Sequence, residues 1–138
     1  METVDSILRA AVRLGACSGS SKAPDWRSLC WLFFSPQGRE FCGSNNYPSI
    51  EMFRGMKSHV RPYNVYVEED VVIRNEDVAL IGKSRSSLFF FGTDKAYKVI
   101  LMHGAEAMIN IGKYAVVRIE NMSGNYRIIN DGTAEVLV

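Results

Sequence analysis

The sequence predicts an α+β chain. A cap of about three helices over residues 1–62 precedes a small β-solenoid with a 20-residue repeat over residues 63–138. Two observations carry this reading. Glycines recur at an even interval at Gly92, Gly112 and Gly132, and Gly104 and Gly124 repeat the same step. The hydrophobic pattern also changes near Tyr63 from a helical step to strict alternation, as in Val65, Val67, Val71 and Ile73.

The first third reads as helices with identifiable ends. Val4, Ile7, Leu8, Ala11 and Leu14 form an apolar stripe, with Thr3 or Asp5 as N-cap and Gly15 as stop. Asp25 caps a second helix, in which Trp26, Leu29, Cys30 and Phe33 share a face. Trp31, Leu32 and Phe34 make it apolar nearly all round, so it is expected to be buried. Ser35-Pro36 restarts the chain as N-cap and first helical residue of a short helix through Cys42. Ser49 caps a further helix with Ile50, Phe53 and Val60 inward, and Pro62 ends it.

From Ile73 onward, rows 73–92, 93–112 and 113–132 can be stacked. Ala79, Val99 and Ile119 then form one column. Phe89, Ile109 and Ile129 form a second, and Leu88, Met108 and Ile128 a third. No row can bury its own apolar face, but stacked rows bury a continuous core. Helices plus an antiparallel β-sandwich or meander are the alternative, because closely spaced short strands with turn glycines fit that fold too. The helical part is expected to cap the first coil and share its core, since an open coil exposes backbone.

Composition narrows the function classes. The chain is 47% hydrophobic and 22% charged with a formal net charge of +1. It has no charge excess that would draw it to nucleic acid or a membrane surface. No run of apolar residues is long enough for a transmembrane helix. Leu14-Gly15-Ala16-Cys17 resembles a lipoprotein cleavage box, but Glu2, Asp5, Arg9 and Arg13 spoil its flanks, so a cytoplasmic location is expected. Cys17, Cys30 and Cys42, an odd number without paired spacing, read as free thiols in a reducing compartment. Together with His59 they lack the close ligand pairs of a zinc site.

No catalytic constellation is visible, and neither a cofactor nor a metal is expected. His59 and His103 stand outside any nucleophile motif. The acidic residues Glu68, Glu69, Asp70, Glu76 and Asp77 lack the glycine of a calcium loop and read as a solvated turn. In Leu88-Phe89-Phe90-Phe91 one face belongs to the core. On the other, Leu88 and Phe90 are either covered by the helical cap or part of a contact patch. Val136, Leu137 and Val138 lie in a strand pattern with no polar capping segment, and they are the second candidate contact.

The stretch from Trp26 to Cys42 (WRSLCWLFFSPQGREFC), with Tyr97 to Gly104 (YKVILMHG), resembles short uncharacterised proteins of phage-derived or other mobile elements in gut bacteria. That resemblance implies an accessory role and no particular activity. The expected function is a non-enzymatic structural or protein-interaction module that binds a protein partner or itself. One alternative is a carbohydrate-binding or carbohydrate-acting solenoid face using Tyr114, Tyr126 and Glu120. Another is a small intracellular inhibitor or regulator.

Overall fold

The computed structural model describes residues 3–13 and 25–138. The chain divides into two compact units, Met1–Tyr63 and Asn64–Val138.

The first unit holds four helices, α1 (Val4–Arg13), α2 (Trp26–Phe34), α3 (Pro36–Asn45) and α4 (Ile50–Val60). Local chemistry sets their starts. Asp25 accepts the Ser28 N–H, Ser35 accepts that of Gly38, and Ser49 accepts that of Met52. Each bond satisfies one of the amides that a helix start leaves without an intrahelical partner. Ile7 and Leu8 of α1 are buried, as are Phe53, Met56 and Val60 of α4. Phe33 meets Phe53 edge to face at 6.0 Å, and the Tyr47 hydroxyl donates to the Ile7 carbonyl at 2.6 Å. Helix α2 departs from the expectation of full burial. Trp31 is 73% exposed and Cys30 is its one buried residue. With apolar residues on every side, periodicity could not indicate which side faces water. Leu14, Gly15 and Cys17 lie outside the described residues.

The second unit is a β-solenoid of about three turns. Its strands are β1 (Val65–Val67), β2 (Val72–Arg74), β3 (Val78–Ile81), β4 (Ser84–Phe91), β5 (Ala96–Met102), β6 (Ala105–Gly112), β7 (Val116–Asn121), β8 (Asn125–Asn130) and β9 (Glu135–Leu137). Odd strands form one sheet in the order β1-β3-β5-β7-β9, and even strands the other in the order β2-β4-β6-β8. Every pairing is parallel. This excludes the antiparallel sandwich and meander, whose neighbouring strands run in opposite directions. The inward side chains of both sheets make one core that includes Leu80, Leu88, Phe90, Val99, Ile109 and Val117. Ile100 and Met102 alternate with inward neighbours and are buried as well, so the second half of β5, from Val99 to Met102, reads as an unbroken apolar run.

The stacking step is not constant. Val65 pairs with Ala79, Val78 with Val99, Ala96 with Val116, and Glu106 with Asn125. The first of these steps is much shorter than the glycine interval. The second exceeds it by one, the third equals it and the fourth falls one short. A rigid ruler set by the glycines is therefore off by one in places, and a slip of one residue exchanges the two faces of a strand. Val78, not Ala79, stands over Val99 and Ile119. Leu88, Ile109 and Ile128 share the inward column, while Phe89 and Ile129 flank Asn110 on the outward face. The glycines do not stack either, since Phe91 is the partner of Gly112. Gly112 is needed for another reason. A Cβ there would run into the Asp131 carboxylate and lie 3.0 Å from the Phe91 ring.

This register separates two adjacent residues. Ile109→Ala should cost about 2–5 kcal/mol, as for other buried aliphatic truncations. Met108→Ala, on the outward face, should cost less than about 1 kcal/mol. Urea unfolding of both variants measures the difference, and equal losses would reject the register.

Candidate functional site

The corners of the solenoid carry most of its ordered polar chemistry. Where the chain turns out of a strand, amides leave the ladder and need other acceptors. Side chains of the neighbouring coil supply them. Asp70 accepts the Arg85 N–H at 2.8 Å, Asn75 that of Phe91 at 2.9 Å, and Asp77 that of Lys98 at 2.9 Å. From the other direction, Ser123 accepts the His103 N–H, Asp131 that of Lys113 and Thr133 that of Tyr114. Asp77 also meets Lys95 at 3.3 Å, and Glu76 accepts from the Asn64 amide. Much of the acidic stretch is thus occupied in stitching coil to coil. Among the described residues no group of three His, Cys, Asp or Glu is arranged to hold a metal ion.

The last coil, formed by β8, the turn after it and β9, differs from those before it. Inward positions of earlier coils, such as Ile109 and Val117, are fully buried. Their successors Ile128 and Val136 are only partly buried, though still packed on the core, as is Tyr126. Ile129 and Val138 are 53% and 83% exposed. β8 and β9 are outermost in their sheets, so one edge of each has no paired strand among the described residues. Between them Asp131 is the organising residue. One carboxylate oxygen accepts both the Thr133 N–H and the Thr133 hydroxyl, and the other accepts the Lys113 N–H. The hydroxyl and amide of Thr133, then the amide of Lys113, hold this carboxyl below its ordinary value.

The residues singled out from sequence fall in different places. Like Leu88, Phe90 is fully buried in the solenoid core, and it stacks on Tyr97 at 5.1 Å. It therefore offers no contact surface. Alternation in β4 turns Phe89 and Phe91 outward instead. Val136 pairs with Val117 and faces inward, Leu137 pairs with Arg118 on the outward face, and Val138 is exposed. Tyr114, Tyr126 and Glu120 do not converge. Tyr114 is an exposed corner residue, Tyr126 packs on the core from β8, and Glu120 pairs with Ile100 in the other sheet. Arg74 and Arg127 lie on the outward face of the even-numbered sheet, a placement that only the register between coils reveals. Asp131 and Thr133 were missed because the amides they hold belong to the preceding coil.

The cysteines and histidines give no nucleophile pair among the described residues. Burial pushes the thiols of Cys30 and Cys42 up to about 12, opposite to the shift that makes a reactive thiolate. His59 stacks flat on Trp26 at 4.6 Å, and His103 occupies a positive-φ corner. No helix among the described residues is long and apolar enough to cross a membrane. Comparison of the chain with protein-family models, curated proteins and solved structures finds no match in any of the three.

Two pH-dependent outcomes follow. The Asp131 carboxylate is favoured in the folded state, so its contribution is present above about pH 4 and lost as pH falls through its lowered native value. Protection of the Lys113 and Thr133 amides, measured as exchange relative to the intrinsic rate at each pH, should fall in acid, and Asp131→Asn should lower it already at neutral pH. For the thiols the direction reverses, because their folded-state values are raised. Their contribution is complete below about pH 9 and falls as pH rises from there towards 12, by about 1.4 kcal/mol per unit for each thiol. Alkylation at pH 8 should leave Cys30 and Cys42 unmodified in the native chain and label both in urea. Mass analysis of the peptides reads this directly.

Proposed function

We propose that the chain is a non-enzymatic structural or protein-interaction module that associates through the last coil of its solenoid. The observation that carries this reading is the change in burial along the stack. Ile128 and Val136 continue inward columns that are closed in earlier coils, yet they remain partly open beside two strand edges that no strand among the described residues pairs with. Such an edge offers backbone donors and acceptors to an incoming strand, and the half-covered side chains add apolar area. A second copy of the chain, or a protein that adds a strand, fits both features. The resemblance of the Trp26–Cys42 stretch to proteins of phage-derived and other mobile elements favours an accessory role in such an element. The expected place of action is the cytoplasm.

Light scattering coupled to size exclusion tests this reading across a wide concentration range. The intact chain should be an oligomer. A chain lacking residues 133–138 should be monomeric, and so should Leu137→Lys/Val138→Lys. That double variant puts lysines where natural sheets use them to block pairing. It should keep the circular dichroism of the parent, because Val138 is exposed and Leu137 half-buried. An intact chain that stays monomeric throughout, or an oligomer unaffected by both variants, would refute self-association at this coil.

A further inference from the structure

The outward face of the even-numbered sheet is a second surface, separate from the strand edges. Its register lines up Arg74, Phe89, Asn110 and Ile129 in one row across the strands, and Val72, Ser87, Met108 and Arg127 in the next. Val72 is 64% exposed and Ile129 53%, and Phe89 and Met108 are partly exposed. Arginine, phenylalanine and methionine are enriched at protein interfaces, where lysine is depleted. The four strands contain no lysine.

The charge on this face is one-sided. Its strands carry three arginines and one carboxylate, Glu106, which is held by Arg85 at 3.1 Å. Among the described residues no carboxylate pairs with Arg74 or Arg127. They stand on the first and last strands of the sheet, about 14 Å apart across it and two residues apart along it, so that their Cα atoms are about 16 Å from each other, a span that the lean of Arg74 over Phe89 shortens at the guanidinium. Phe89 and Met108 lie between them. The Arg74 guanidinium rests over the Phe89 ring, 4.6 Å from its centroid. A stacked guanidinium keeps its in-plane N–H donors available for a carboxylate, and stacking fixes its orientation.

We propose that this face binds an extended acidic segment of a partner protein, with two carboxylates four residues apart and an apolar residue midway. In an extended chain, residues i, i+2 and i+4 point the same way, and four residues span about 13 Å. The two carboxylates then reach Arg74 and Arg127, and the central side chain meets Phe89 and Met108. Two copies of this face would repel each other through their arginines, which disfavours a symmetric pairing. Single-stranded nucleic acid fits less well, because Arg74 already covers the ring on which a base would stack.

Fluorescence anisotropy with labelled synthetic peptides tests the proposal on the full chain. A peptide carrying Glu-Ser-Phe-Ser-Glu should bind. Arg74→Gln or Arg127→Gln should each weaken it about tenfold. Moving the second glutamate one residue closer, onto the opposite side of an extended peptide, should weaken it by a similar factor, as should replacing both glutamates with glutamine. Both arginines are exposed, so circular dichroism of the variants should match the parent. No binding of the first peptide, binding indifferent to the arginines or to spacing, or preference for a single-stranded oligonucleotide would overturn the proposal. The readout does not involve residues 133–138, so failure of edge association leaves it intact.

Discussion

Parallel pairing between successive coils is the interaction on which the second unit depends. Each amide in a strand finds its carbonyl one coil away, and that bond fixes which side chains meet inside. Leu88, Ile109 and Ile128 become one column only because β4, β6 and β8 pair in this register. No coil is a stable object alone, since its inward face is half a core and its amides lack partners. The corner side chains extend the same principle beyond the strands. Asn75, Asp77 and Asp131 each accept an amide of an adjacent coil, so strand and corner are held by one repeating logic.

With the inward positions committed to packing, any recognition of a partner would fall to what the register turns outward and to the last-coil edges that have no paired strand among the described residues. These surfaces differ in kind. The edge of β8 and β9 offers backbone groups and would accept a strand with little regard for its sequence. The face carrying Arg74 and Arg127 presents charge at a fixed separation, which would select for sequence in a bound partner. A module with both would combine a general grip with a specific one, on an edge and a face that adjoin at β8.

Much of this architecture was legible in the residues. Asp25, Ser35 and Ser49 marked helix starts through short-range bonds, and such bonds lie within any local window. The alternation in β4 and β6 marked strands, and after the first coil the glycine spacing came within one residue of the coil length. Assignment of face was less legible. Ala79 and Phe89 were placed in columns that belong to Val78 and Leu88, because the step shortens and lengthens at corners where no periodic signal survives. Trp31 was hidden by a helix with no polar side. The roles of Asp131 and Thr133 follow from partners a whole coil away, which spacing statistics do not reveal.

The near-constant step between coils also shapes how the chain acquires its structure. After the first coil, each new strand pairs with one that precedes it by almost the same length of chain. The entropic cost of closing each such loop is therefore almost the same from coil to coil, because it varies only with the logarithm of length. No late pairing must bring distant parts of the second unit together. Order can spread from coil to coil along the stack, each addition templated by the strand just laid down, much as a zipper closes.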